Sequence, residues 1–293
     1  MLLDKISGFL DKAVESGLAS KVADYLVRFG YIKQDKLESI EDIARAIRNF
    51  HKMAGLGDSD IVSPKTLRAM IAPRCNLTDA PVEEAGVNSK WGLSKLTYFI
   101  KGRDSDMSPQ IWDATIEAAL KSISAVCGLE FMQTDSSNTA NLIYDIGSGK
   151  QDDFDGASGV LAWFQLPPSS SFRGQLFGKF DSAERWIGLG QVGSGILLQN
   201  VVAHETCHGL GVSHTNVAGS LMNPFYSPQI VIPQREDIRQ LNDLRYGPPA
   251  VNKPATPVDG VPRPEVPSGN LVISITGNIS KIDIPGYRIQ KMG

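Results

Sequence analysis

Cysteine is scarce in this 293-residue chain: Cys75, Cys127 and Cys207 do not make a disulfide framework, so each calls for its own explanation. Long hydrophobic runs are missing too, and no stretch approaches the length of a membrane-spanning helix. The opening Met1-Leu2-Leu3-Asp4-Lys5-Ile6-Ser7-Gly8-Phe9 lacks the unbroken apolar core of a secretory signal, because Asp4, Lys5, Asp11 and Lys12 interrupt it. Charge of one sign is also lacking. With 29 Lys and Arg against 32 Asp and Glu, the net −3 gives no reason to expect nucleic acid or an anionic membrane as partner. What remains is an ordinary globular composition, 42% hydrophobic and 21% charged, long enough for one large or two small domains.

Histidine numbers only four, yet three fall in one run, His204-Glu205-Thr206-Cys207-His208-Gly209-Leu210-Gly211-Val212-Ser213-His214. The pattern is HExxHxxGxxH. On a helix, residues four apart lie one turn along the same face, so His204 and His208 can aim both imidazoles at one metal. Glu205 then sits beside it. A helix cannot also deliver His214 to that point, so the chain must turn, and Gly211 can take the positive φ such a turn usually needs. Three neutral imidazoles leave one tetrahedral position open, which marks a catalytic zinc: water there is acidified towards neutral pH, with Glu205 as its base. A helix carrying two surface histidines would explain HExxH alone. Five specified positions in one stretch argue against it.

The three other residues of these types have plainer expectations. His51 reads as a surface or boundary histidine. Cys207 and Cys127 read as small packed thiols.

Residues 1–80 read as a three-helix module. Leu18, Val22, Tyr25, Leu26 and Phe29 repeat at helical spacing before Gly30, Ile40, Ile43, Ala44, Ile47 and Phe50 do so again, and Ser63-Pro64 starts a short third helix through Leu67 and Met70. From Trp91 the texture changes. Leu96, Tyr98 and Ile100 alternate as a strand, Ser108-Pro109 opens a long amphipathic helix through Val126, and 129–133 and 142–146 read as further strands. Glycine-rich loops follow, then a helix from about Ile196 that carries the histidine run. The expected class is α+β, with a mixed twisted sheet and an all-α module before it. Seven prolines between Pro248 and Pro267 predict an extended linker over 248–270, and alternation at Ile273/Ile275 and Ile282/Ile284 predicts a hairpin, or the start of a further domain, over 271–293.

On these residues the chain resembles the matrixins, or matrix metalloproteinases, of the metzincin clan. Gly219-Ser220-Leu221-Met222-Asn223-Pro224 resembles the family's Met-turn, in which the Met222 side chain would lie beneath the zinc. Pro73-Arg74-Cys75-Asn76-Leu77-Thr78-Asp79 is similar to the "cysteine switch" PRCGVPD, so Cys75 would fill the open zinc position in a latent form, with Arg74 and Asp79 bracing the loop by a charge pair. Asn76, Leu77 and Thr78 depart from Gly, Val and Pro; Asn tolerates a left-handed backbone better than most residues. Residues 154–162 and 180–186 resemble calcium loops. There Asp155, Asp181 and Glu184 would offer carboxylates, and Gly156, Ser158 and Val160 carbonyls. A solvated acidic loop is the alternative. Positions matching the family's second, structural zinc are Ser148, Lys150, Trp163 and Lys179, which cannot bind it, so one zinc is expected. Lys90-Trp91 to Tyr98 resembles the opening strand of the mature enzyme, which makes 90–247 the catalytic region and 81–89 the activation segment.

The resemblance implies a zinc-dependent endopeptidase made as a zymogen, a monomer acting outside the cell by an unspecified export route. Its partners would be protein or peptide substrates, its own propeptide as inhibitor and, through the N-terminal module, a cell-wall or matrix polymer. Asn200 and Tyr226 would line the pocket for the side chain after the cut. Two alternatives stay open: a non-catalytic zinc-fold binding protein anchored through the N-terminal module, and a zinc hydrolase of non-peptide substrates.

Overall fold

Apolar spacing becomes helix in the computed structural model, which describes residues 17–79 and 89–247. The first three helices are α1 (Leu18–Arg28), α2 (Ile40–Met53) and α3 (Pro64–Met70). Local chemistry sets their ends. Gly30, at φ 78°, follows α1; Ser39 Oγ accepts the Asp42 amide at 3.2 Å to start α2; Ser63 and Thr66 form a capping box ahead of α3. Val22, Leu26, Ile43, Ile47 and Phe50 turn inward and form one cluster. His51 lies inside rather than at the surface, at 2% exposure. The composition-based expectation fails because both ring nitrogens find partners, Ser59 O at 2.6 Å and Thr66 Oγ1 at 2.9 Å, which offsets the cost of burying them.

Six strands form one sheet: β1 (Arg74–Cys75), β2 (Lys95–Ile100), β3 (Glu130–Gln133), β4 (Leu142–Gly147), β5 (Val160–Phe164) and β6 (Leu176–Asp181), in the order β1-β5-β6-β4-β2-β3. All neighbours pair parallel except β5 and β6, which are antiparallel. The sheet is therefore mixed and the class α+β. Helix α4 (Pro109–Ser124) starts where Ser108 Oγ accepts the Ile111 amide, and its Trp112, Ile116, Leu120 and Ile123 share a core with Tyr144 and Phe164 of the sheet.

The stretch expected to be only glycine-rich loops holds β5, β6 and the short pair β7 (Trp186–Ile187) and β8 (Ile196–Leu197). Strand β5 is buried at four of its five residues, so it shows none of the alternation that flags a half-buried strand. Helix α5 (Leu198–Gly209) begins after β8, two residues later than expected. The linker over 248–270, the hairpin over 271–293 and all but the last residue of the 81–89 segment lie outside the described residues.

Candidate metal centre

Every residue of α5 except Gln199 is buried. A helix end shut away from water needs other partners for its last carbonyls. Trp91 Nε1 donates to Gly209 O at 2.7 Å and Tyr246 OH to Leu210 O at 2.6 Å. Gly211 then turns the chain at φ 96°, and a Cβ there would stand 2.0 Å from Ser89 O, so the position admits only glycine. This turn carries His214 back to α5. The Nε2 atoms of His204, His208 and His214 end 3.0–3.2 Å apart.

Their other nitrogens fix the tautomers. His204 Nδ1 is 2.7 Å from Leu221 O and His208 Nδ1 is 2.8 Å from Val212 O. A carbonyl only accepts, so each Nδ1 carries the proton and each Nε2 points a lone pair inward. His214 Nδ1 lies 2.9 Å from Asp79 Oδ1, an ion-pair distance without aligned hydrogen-bond geometry. Burial pushes His204 down to about 3, His208 well below its ordinary value and His214 down as well, keeping all three neutral.

Three lone pairs aimed at one point repel unless a cation lies between them. A tetrahedral zinc with bonds of about 2.0–2.1 Å would set its nitrogens about 3.3–3.4 Å apart, close to the spacing present. Cys75 Sγ completes the set. The four candidate ligand atoms lie within 4.8 Å of one another, and among the described residues no other group of three or more His, Cys, Asp or Glu converges in this way. The donor set fits zinc.

Cys75 is placed there by a strand. β1 pairs parallel with β5, Cys75 N donates to Pro224 O at 3.0 Å, Asn76 N donates to Ala162 O at 3.0 Å, and Tyr226 N donates to Pro73 O at 2.9 Å. Segment 73–76 is thus held from both sides. Asn76 makes no use of that left-handed tolerance, since it is absent from the positive-φ residues. Its side chain acts instead: Arg28 Nη2 donates to Asn76 Oδ1 at 3.0 Å and to Asp153 O at 2.8 Å. The Arg74–Asp79 pair forms, at 2.6 Å and 2% and 0% side-chain exposure. Glu205 is 1% exposed, and burial pushes its carboxyl up to about 8 while the Cys75 thiol beside it draws it down. Burial and Glu205 hold that thiol well above its ordinary value, so it ionises only against a cation.

Sequence reasoning missed Asp237. Buried in α6 (Arg235–Asp243), its carboxylate accepts from Leu221 N at 2.8 Å, Met222 N at 3.0 Å, Gln234 N at 2.7 Å and the Ser220 hydroxyl. It pins the turn whose Leu221 carbonyl orients His204. The only signal was an acid three residues after Gln234, at a helix start. Met222 is 0% exposed, in the same core as Ala203 and Cys207. Asn200 and Tyr226 both line a cavity of about 20 Å³ beside His204 and Glu205. Asn200 Nδ2 donates across it to Ser227 O at 3.1 Å and to Ile230 O, and Tyr226 OH accepts from Leu197 N at 2.8 Å.

The acidic loops lie near one another, but their three carboxylates do not converge on one point as the zinc set does. Asp155 Oδ1 accepts from Val160 N at 2.7 Å and Glu184 Oε1 from Ser158 N at 2.6 Å, Ser158 and Gly156 having φ of 68° and 93°. Asp181 Oδ2 is buried without a partner. Burial raises Asp181 and Glu184, and the nearby Asp155 charge raises both further. An orphaned buried oxygen among mutually repelling carboxylates fits a hard cation. Three of the four positions matching the second zinc meet Asp152: Lys179 reaches its carboxylate, Ser148 N donates to Asp152 Oδ2 at 2.9 Å, and Trp163 Nε1 donates to Asp152 O at 2.8 Å.

A family model described as matrixin (Peptidase_M10) matches residues 90–247, more than half of the chain. The chain belongs to the matrixin family. Among its relatives are matrix metalloproteinase-25 of Mus musculus, 28% identical over 272 residues, covering 83% of this chain and 43% of the relative. Matrix metalloproteinase-17 of Homo sapiens is 29% identical, covering 78% and 39%, and stromelysin-2 of Rattus norvegicus 30% identical, covering 79% and 49%. The chain thus spans less than half the length of these relatives.

Proposed function

We propose that this matrixin is a zinc-dependent endopeptidase made as a latent zymogen, with residues 1–80 as propeptide and Cys75 as the group that silences it. The observation that carries this is the convergence of the Cys75 thiol with three imidazoles in one buried set. His204, His208 and His214 would hold the zinc, and Cys75 would take its fourth position. When bound, the ion supplies Lewis acidity, acidifying water in the open position and polarising the scissile carbonyl. Glu205, buried with a raised carboxyl pKa, takes the proton of the attacking water and returns it to the leaving amine.

Segment 73–76 lies where an extended substrate would lie. It occupies the edge of β5 and bonds on its other side to Pro224 and Tyr226, so its departure frees that edge for backbone pairing with a peptide. Asn200, bonded across its cavity, limits the next pocket to a small side chain. Asp155, Asp181 and Glu184, with the loop carbonyls, form the calcium site. Family membership supports action outside the cell on protein substrates; the reading further takes the protein as a monomer whose N-terminal module meets a matrix or cell-wall polymer.

The test compares the full chain with the chain cleaved between Asp79 and Lys90, on a peptide library. The cleaved form should hydrolyse peptides and the full chain should not. Glu205→Ala should keep zinc and lose hydrolysis. Zinc bound without any cleavage would instead favour a binding protein on this fold.

A further inference from the structure

Two of the three imidazoles are oriented from within residues 90–247, and the third is not. His204 and His208 find their Nδ1 partners in Leu221 O and Val212 O. His214 Nδ1 faces Asp79 Oδ1 at 2.9 Å, with both side chains fully shielded, and the Thr78 backbone beside it. Both of those neighbours belong to the switch segment. Asp79 is itself fixed from several sides: Arg74 Nη2 donates to it at 2.6 Å, Tyr31 OH donates to its Oδ2, and its own amide donates to Phe29 O at 3.0 Å. Arg74 is held in turn by Tyr25 OH at 2.6 Å and lies 3.5 Å from the Phe29 ring centroid. The carboxylate therefore has a set position before any metal arrives.

We infer that Asp79 is a positioning residue for the metal centre, an outer-shell carboxylate that holds His214 in its ligating orientation, supplied by the segment that activation removes. The inference rests on the latent zinc protease proposed above and deepens its regulation. Release of the segment uncovers the fourth position and at the same time strips the third ligand of its partner. The latent form then grips zinc more tightly than loss of the thiolate alone explains. Losing an outer-shell partner of this kind costs about 10–100-fold in metal affinity.

The experiment follows zinc release from the full chain into a chromophoric chelator. In parallel, the cobalt(II)-loaded chain is read for its thiolate-to-cobalt charge-transfer band, which reports Cys75 ligation. Asp79→Asn should release zinc about 10–100-fold faster with the band retained. Arg74→Gln, which breaks the same ion pair but leaves the carboxylate against His214, should stay nearer the unsubstituted chain. Release from Asp79→Asn within twofold of the unsubstituted chain overturns the proposal. So does equally fast release from both variants with the band lost, which would make Asp79 only a brace for the loop. A measurement on the unsubstituted chain guards against a variant that fails to fold: with zinc bound, the His214 Nδ1 proton, shielded against Asp79, should exchange slowly with solvent, and rapid exchange counts against the inference. An unsubstituted chain that holds no zinc refutes the metal centre itself, a different failure.

Discussion

Arg28 is the side chain whose removal tests the latch most directly. Its guanidinium donates to Asn76 Oδ1 at 3.3 and 3.0 Å and to Asp153 O at 2.8 Å, and lies 3.5 Å from Asp155 Oδ2. The Arg28 and Asp155 side chains are 37% and 45% exposed, so each interaction counts at the low end of its range. Three hydrogen bonds at about 0.5 kcal/mol and an ion pair at about 0.2 kcal/mol sum to roughly 1.7 kcal/mol. Opening of segment 74–79 breaks only the two bonds to Asn76, about 1 kcal/mol of that sum, so Arg28→Ala should raise the open population about 5-fold. The assay is the rate at which a thiol reagent labels Cys75 in the zinc-loaded full chain, under conditions where reclosing outpaces labelling. Cys127 and Cys207, at 1% and 0% exposure, should label only on wider unfolding and serve as internal controls. A Cys75 rate within twofold of the unsubstituted chain would refute the latch. Equal acceleration at all three cysteines would show general destabilisation instead.

Three further outcomes are expected. Cys75→Ala should be active without cleavage or process itself faster; a variant as latent as the unsubstituted chain would mean that segment 73–76 inhibits by bulk alone. Metal analysis should return about one zinc per chain, whereas two would contradict the Lys179–Asp152 pairing as what fills the second corner. Asp237→Ala leaves the amides of Leu221 and Gln234 and the Ser220 hydroxyl short of an acceptor, and should cost about 3 kcal/mol in chemical denaturation; an unshifted midpoint would remove Asp237 as the anchor of that turn.

The histidine run was legible because its chemistry is local. Four-residue spacing sets two imidazoles on one helix face, and Gly211 is required by a backbone that no other residue fits. Helices α1 to α4 were legible for the same reason, each having a periodic face, with Ser63-Pro64 and Ser108-Pro109 marking the starts of α3 and α4. Strand β5 was not, because a strand covered on both faces has no alternation to read; in β6 the burial alternates but the residue types invert it, with Phe177 outside and Gly178 inside. His51 shows the same limit from the other side: its burial depends on Ser59 and Thr66, which lie 8 and 15 residues away.

By itself the sequence determined the three histidines, their spacing, the carboxylate beside them and the cysteine of segment 73–79. Tertiary structure decided what those groups face. Asp79 against His214, Arg28 and Asn76 over Asp153, and Asp237 beneath the Leu221 turn are contacts between residues far apart in the chain. Each forms because packing brings a buried polar group to the one partner within reach, and an unpartnered group there would be costly. Spacing along a chain records neighbours on one helix or strand. It does not record which distant side chain will meet a buried nitrogen.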